Sequence, residues 1–136
     1  MSLYERFYDE AVYKDFITFD PVKARKTITF GIENSLRPHL LAVIENQIVG
    51  FISWELDTSF SVRPVGVLFE VYVIPERRRS AIGRYLVGLC VWACKDSGCC
   101  AFHAPIASGM DAARSLQNLF AKLGFTPLGV IMRREL

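Results

Sequence analysis

Residues 71–86, VYVIPERRRSAIGRYL, carry the most informative pattern in the chain, because an apolar strand-like segment passes through a basic turn into a helix-like segment. The residues 65–75, VGVLFEVYVIP, are rich in β-branched and aromatic side chains and predict a strand that ends at Pro75. The run 81–97 is apolar on almost every face and stops at Gly98, which predicts a buried helix.

The turn between these two elements predicts an anion site. The first amides of a helix lack intrahelical acceptors and carry partial positive charge, so they can hold a phosphate. Small residues at Ser80, Ala81 and Gly83 leave room for an anion to approach the backbone. A basic turn alone is usually a solvated loop, but the strand-to-helix context favours an anion site. The turn carries Arg77, Arg78, Arg79 and Arg84.

The flanking segments predict an α/β domain. Tyr4, Phe7 and Tyr8 recur at helical spacing, and Asp20 followed by a proline predicts the cap of a second helix that runs to about Ser35. Alternating or β-branched runs predict further strands, and one more amphipathic run predicts a helix. The predicted strands are 39–45, 48–56, 99–106 and 129–136, and the predicted last helix is 111–123.

Length and composition limit the class of protein. The 136 residues suit one domain, and 51% hydrophobic content excludes a disordered chain. A net charge of +2 argues against a nucleic-acid partner. The longest apolar run, 85–94, is about half the length of a membrane span, and residues 1–10 contain four charges where a signal peptide would be apolar. We therefore expect no membrane partner and a cytoplasmic location.

The four cysteines do not predict a metal site. They lie within eleven residues, without the two spaced pairs of a zinc module. Reduced thiols that serve as small core residues fit this pattern better, so no metal is expected. They are Cys90, Cys94, Cys99 and Cys100.

The stretch 73–83 resembles the signature of the GNAT superfamily of N-acyltransferases. In that family a strand ending V-x-P is followed by Q/R-x-x-G-x-G/A. Here Arg78 stands at the Q/R position and Gly83 at the G/A position, while Ala81 replaces the middle glycine. Residues 45–56 and 115–125 resemble further family segments, and the similarity covers roughly residues 39–136.

The resemblance implies a GNAT-like three-layer α/β/α fold over a single domain, residues 1–136, with the family's first strand short or absent. It implies a mixed central sheet with antiparallel N-terminal strands and a V-shaped splay between the family's strands four and five. These two strands correspond to the predicted strands 65–75 and 99–106.

The resemblance also implies acetyl-coenzyme A, a coenzyme A thioester, as co-substrate. Backbone amides from about Arg79 to Arg84 would hold the pyrophosphate, and the pantetheine arm would pair near Val71 and Val73. The cofactor-binding residues that it implies are Val71, Tyr72, Val73, Arg78, Arg79, Ser80, Ala81, Ile82, Gly83 and Arg84.

Two residues are candidates for the catalytic base. Glu70 is the only charge in the strand 65–75, on a face shared with Leu68 and Tyr72 if the alternation is regular. It is either a general base or one end of a buried ion pair. His103, on the next strand, is either a base or a hydrogen-bonded core residue.

The family position of a tyrosine proton donor is occupied by Phe120. The position of the family's asparagine is occupied by Ala113 or is displaced by the longer loop 104–111. Two functions therefore stay open. One is transfer of an acyl, most simply acetyl, group to an amine of a small molecule or protein by direct attack in a ternary complex. The other is a catalytically impaired GNAT-fold structural or interaction protein. The apolar surplus leaves a homodimer open.

Overall fold

The computed structural model describes residues 2–11, 17–106, 110–129, 132 and 134. Five of the eight residues of the predicted strand 129–136 lie outside them. The helices are α1 (Leu3–Glu10), α2 (Pro21–Glu33), α3 (Ile82–Asp96) and α4 (Met110–Lys122), and a 3₁₀ turn spans Pro75–Arg77. The strands are β1 (His39–Ile44), β2 (Gln47–Asp57), β3 (Val65–Val73) and β4 (Ala101–His103).

The first two helices begin at well-formed caps. Ser2 and Glu5 form a capping box at α1. Asp20 caps α2, where its Oδ1 accepts hydrogen bonds from the amides of Val22 and Lys23 at 3.0 Å. The cap predicted at Asp20 is therefore confirmed.

The sheet has the order β1-β2-β3-β4 and is mixed. The pairs β1–β2 and β2–β3 are antiparallel, whereas β4 runs parallel to β3. Within the described residues, β4 pairs with β3 only from Val65 to Val67, so the two strands part beyond that point. β4 is shorter than the predicted 99–106 for this reason.

A β-bulge at Phe69 corrects the predicted face of Leu68. Ser53 pairs with Glu70, but the next residue of β2 pairs with Leu68, so Phe69 is extra. An extra residue reverses the alternation of side chains beyond it. Leu68 consequently packs into the core on the α3 side, while Tyr72 packs against Phe7 of α1, with ring centroids 5.7 Å apart. The prediction that Leu68 shares a face with Glu70 and Tyr72 is wrong.

The two faces of the sheet carry different side chains. On the α3 side, residues such as Ile52, Val87 and Cys90 are fully buried in one cluster. On the other side the rings of Tyr4 and Phe51 stack with centroids 4.5 Å apart. The sheet therefore lies between α1 and α3, in three layers.

The prediction of a wholly buried α3 is wrong for one of its faces. Tyr85, Leu89 and Trp92 are 64%, 52% and 63% exposed. Their spacing of four and three residues places them on one stripe. Part of the apolar surplus of the sequence therefore lies on the surface and not in the core.

The cysteines are free thiols, and all except Cys100 are buried. Burial raises the pKa of Cys90 above its ordinary range and that of Cys94 to about 11, so both stay protonated near neutral pH. No group of three or more His, Cys, Asp or Glu residues within the described ranges is placed to hold a metal ion. None of the helices described has the length and apolar content needed to cross a membrane.

Two glycine substitutions test the packing around α3. A Cβ at Gly66 would lie 2.7 Å from Cys94 Sγ and 2.7 Å from Phe102 Cδ2, whereas one at Gly88 would meet nothing within 4 Å. We expect Gly66→Ala to lower the free energy of unfolding by about 2 kcal/mol. Gly88→Ala, in mid-helix, should raise it by about 0.5–1 kcal/mol. Urea unfolding measures both, and equal effects would contradict this packing.

Candidate functional site

A cavity of about 730 Å³ follows β3 from Leu68 to Val73 and reaches the first turn of α3. Residues of α1, β3, α3 and α4 line it. The lining residues that the sequence predicted are Glu70, Val71, Tyr72, Val73, Arg78, Arg79, Ser80, Gly83 and Arg84. Of the predicted cofactor-binding residues, Ala81 and Ile82 do not line it.

The cationic end of the cavity lies at the start of α3. Tyr85 donates the first i-to-i−4 hydrogen bond of this segment, to the carbonyl of Ala81 at 3.0 Å. The amides of the first three helical residues, 82–84, therefore have no acceptor within the helix. Arg77, Arg79 and Arg84, within or next to this turn, also line the cavity. This arrangement can hold an anion by backbone hydrogen bonds and by charge.

Ser80 and Arg79 shape the turn before the helix. Ser80 Oγ donates to the carbonyl of Arg77 at 2.6 Å and accepts from the amide of Ile82 at 3.3 Å. Arg79 has a φ of 62°, in the left-handed region. A non-glycine residue there costs about 1–2 kcal/mol, and such strain is concentrated at ligand sites.

The alanine that replaces the middle glycine of the signature fits this turn without strain. Ala81 has a φ of −73° and a ψ of −6°, an ordinary right-handed conformation. At Gly83 an added Cβ would lie 3.7 Å from Leu119, an ordinary contact distance. The fold itself therefore requires glycine at neither position.

Arg78 lines the cavity and is also bonded to other parts of the protein. Its Nε donates to the carbonyl of Val73 at 2.9 Å, and its terminal nitrogen pairs with Glu10 at 2.5 Å. Tyr72 donates its hydroxyl to the same carboxylate at 2.6 Å. Burial and this hydrogen bond raise the pKa of Tyr72 to about 12. Arg78 therefore ties α1 to the end of β3.

The edge of β3 that β4 leaves is available to an extended ligand. The amide of Ile74 donates to the carbonyl of Val49, so the backbone groups of Ile74 point towards β2. The carbonyl of Val73 instead accepts a hydrogen bond from the Arg78 side chain, which is not part of β2. Alternate residues of a strand point their backbone groups to opposite edges. Val71 and Val73 consequently face the open edge, as the predicted pairing with a pantetheine arm requires.

Glu70 lines the cavity. Its Oε2 accepts a hydrogen bond from Ser53 Oγ at 2.6 Å and lies 3.4 Å from the Tyr4 hydroxyl. The ion pairs among described residues join other groups. Glu70 is thus held by hydroxyls, and the structure does not show the ion-pair alternative considered for it.

The two candidate bases are not brought together. His103 is exposed on β4, where it lies opposite Val67, and it is not among the described residues that line the cavity. Phe120, at the position of the family's tyrosine, is buried against Phe125 with ring centroids 4.8 Å apart. It also does not line the cavity.

The sequence predicted no individual site residue in the walls contributed by α1 and α4. The aromatic spacing of α1 was visible, but no local signal showed which face of the sheet it would cover. The additional lining residues are Phe7, Glu10, Ala11, Leu68, Phe69, Pro105, Ile106, Ser115, Leu116 and Leu119, and Arg77 of the predicted anion turn lines the cavity as well.

Comparison with known proteins identifies relatives of this architecture. The sequence model of the acetyltransferase (GNAT) family matches residues 2–125. No curated protein matches the sequence. A transcriptional regulator from Bacillus halodurans C-125 superposes with a TM-score of 0.78 at 13% identity, over 97% of this chain and 92% of that chain.

Two similar structures are aminoglycoside acetyltransferases. The antibiotic 6'-N-acetyltransferase AAC(6')-IG from Acinetobacter haemolyticus gives a TM-score of 0.72 at 16% identity, over 99% of this chain and 94% of that chain. AAC(6')-Iy, in complex with the bisubstrate analog CoA-S-monomethyl-acetylneamine, gives 0.71 at 14% identity, over 96% and 90%. The structural similarity confirms the predicted GNAT-like α/β fold, and at identities this low it shows the fold alone.

The different roles of two neighbouring arginines can be measured. Because Arg78 joins α1 to β3, Arg78→Ala should lower the free energy of unfolding by about 1 kcal/mol. Arg79→Ala removes the same charge without breaking these bonds, so it should change stability by less than about 0.5 kcal/mol. Urea unfolding at low salt measures both, and a larger loss in Arg79→Ala would contradict this assignment.

Proposed function

The chain belongs to the acetyltransferase (GNAT) family, and from this premise we propose that it transfers an acyl group, most simply acetyl, from coenzyme A to an amine. The acceptor amine is on a small molecule or a protein and attacks directly in a ternary complex. The observation that supports this function is one continuous cavity with an anion-binding helix start at one end and the Glu70 carboxylate in its wall.

The residues present fit coenzyme A as the co-substrate. The amides of residues 83 and 84 and the side chains of Arg79 and Arg84 suit its pyrophosphate. The open edge of β3 at Val71 and Val73 suits its amide-containing arm. AAC(6')-Iy, of the same fold, has been solved with an analog that contains coenzyme A. When bound, the thioester supplies an activated acyl group.

Glu70 is the proposed base. An acceptor amine arrives as an ammonium ion and must lose a proton before its nitrogen can attack. Glu70, directly or through water, takes that proton. A backbone amide on the open edge near Val73 donates to the thioester oxygen as negative charge develops there. Since Phe120 has no proton to give, the departing thiolate takes its proton from the amine or from water.

An interaction protein of the same fold is the second candidate. The exposed stripe Tyr85, Leu89 and Trp92 on α3 favours it, because aromatic residues are common at protein interfaces. This stripe is also where a homodimer would form. For either function we propose a cytoplasmic location.

Coenzyme A binding is the first test. Acetyl-coenzyme A at a hundredfold excess over its Kd should raise the free energy of unfolding by about 2.7 kcal/mol. Arg79→Ala and Arg84→Ala should each weaken binding several-fold, and more at low than at high salt. Arg25→Ala is the matched control, because it removes an exposed positive charge that lies on α2 and not at the cavity. Absence of any thermal shift at millimolar ligand would refute the proposal.

Turnover identifies the base. With acetyl-coenzyme A and a panel of amines, Glu70→Gln should lower kcat about a hundredfold and leave acetyl-coenzyme A binding unchanged. Glu33→Gln, at the exposed end of α2, is the isosteric control. The catalytic role of His103 stays a prediction, and His103→Gln tests it in the same assay. Loss of turnover in His103→Gln with normal turnover in Glu70→Gln would reverse the assignment.

A further inference from the structure

A chain of hydrogen-bonding groups begins at Glu70 and continues between α1 and the face of the sheet that α1 covers. Glu70 Oε2 lies 3.4 Å from the Tyr4 hydroxyl, and that hydroxyl lies 3.1 Å from His39 Nε2. The other ring nitrogen, Nδ1, lies 2.8 Å from the carbonyl oxygen of Arg37. Three elements, β3, α1 and β1, thus each contribute one titratable group to one line.

The carbonyl of Arg37 fixes the direction of this chain. A carbonyl oxygen only accepts, so His39 Nδ1 carries a hydrogen. A neutral imidazole has one N–H, and Nε2 therefore presents a lone pair to Tyr4. Tyr4 has a single hydroxyl hydrogen, which it donates to Oε2 while Glu70 is a carboxylate. Once Glu70 has taken a proton, its O–H donates to the Tyr4 oxygen, and the Tyr4 hydroxyl hydrogen turns to His39 Nε2. The shorter of its two distances is the one to His39.

Packing holds the middle of the chain in place. The Tyr4 ring stacks on Phe51 with centroids 4.5 Å apart and an interplanar angle of 26°. Ser53, paired with both His39 and Glu70 in the strand register, donates its hydroxyl to Glu70 Oε2. Burial, and then the charge of Glu70, raise the pKa of Tyr4 above its ordinary range. Tyrosinate is therefore disfavoured, and Tyr4 passes a proton only while it receives another.

Among the described residues, the charges of Glu70 and Arg37 act on the Tyr4 hydroxyl. Arg37, before β1, pairs with Glu55 of β2 at 2.5 Å, and its guanidinium carbon lies 3.5 Å from the centroid of the Phe69 ring. β3 contributes Glu70 and α1 contributes Tyr4, while α3 packs on the opposite face of the sheet. His39, with Nδ1 on the Arg37 carbonyl, ends the chain.

We propose that Tyr4 and His39 are positioning residues that relay to His39 the proton which Glu70 takes from the acceptor ammonium. The ammonium loses one N–H bond and Glu70 becomes a carboxylic acid. Its O–H then breaks as Tyr4 oxygen takes that proton and the Tyr4 hydroxyl proton moves to His39 Nε2. Glu70 ends as a carboxylate, Tyr4 as a phenol and His39 as an imidazolium. The inference rests on the proposed function, because it needs Glu70 as the base.

Nuclear magnetic resonance of the two histidines tests the relay without turnover. The ¹⁵N shifts of neutral His39 should show hydrogen on Nδ1 and a bare Nε2. Tyr4→Phe should change the Nε2 resonance, and Glu70→Gln, which removes a nearby negative charge, should move the His39 titration midpoint to lower pH by roughly half a unit. His103, exposed on β4, is the internal control and should titrate identically in all three proteins.

The pH profile of kcat tests whether the relay operates during turnover. Below the His39 midpoint the chain cannot accept a proton, so the wild-type rate should fall there. In His39→Gln and Tyr4→Phe we expect kcat on the order of tenfold lower above that pH, with the acid limb displaced and the KM for acetyl-coenzyme A unchanged. Tyr85→Phe, on the outer face of α3, is the matched control and should keep the wild-type profile.

The outcomes separate the relay from the proposed function. Hydrogen on Nε2 of neutral His39, or a midpoint that Glu70→Gln leaves in place, overturns the relay whatever the turnover. An unchanged acid limb in His39→Gln also overturns it, with the acyltransferase function intact. A wild-type protein that binds acetyl-coenzyme A and releases no thiol with any amine overturns the function first and the relay with it.

Discussion

The bulge at Phe69 is the constraint on which the site depends. Without the extra residue, Leu68 would lie on the α1 side with Glu70, and the core against α3 would lose a large apolar side chain. With it, the segment of β3 before the bulge packs its core residue on α3, and the segment after it presents Glu70 and Tyr72 to α1. One inserted residue thus lets a single strand serve both the core and the site.

The helix α1 is the second part of this arrangement, because it is attached at several points to the elements that form the cavity. Glu10 binds Tyr72 of β3 and Arg78 of the turn, and Arg6 pairs with Glu76 at 2.9 Å. These bonds join the wall over Glu70 to the turn at the anion end. The exposed ion pairs are individually weak, but both join α1 to the turn after β3. Together they hold the wall formed by α1 in a fixed position relative to the anion end of the cavity.

Much of the fold and of the anion end could be predicted because their signals are local. The cap at Asp20, the strand before Pro75 and the helix after the arginines depend on neighbouring residues. The face of Leu68 could not be predicted, because a bulge is a property of strand pairing and not of one strand. The commitment of Arg78 to Glu10, 68 residues away in sequence, depends equally on tertiary contacts. The roles of Tyr4 and His39 required the packing of α1 on the sheet.

The exposed stripe on α3 gives the protein an optical property as well as a surface. The chain has two tryptophans, one buried in the core at Trp54, 5% exposed, and one on this stripe at Trp92. An aqueous quencher reaches Trp92 and not Trp54 in the folded protein. Intrinsic fluorescence therefore separates two events that most methods merge: a partner covering α3 shields one indole, and unfolding exposes the other.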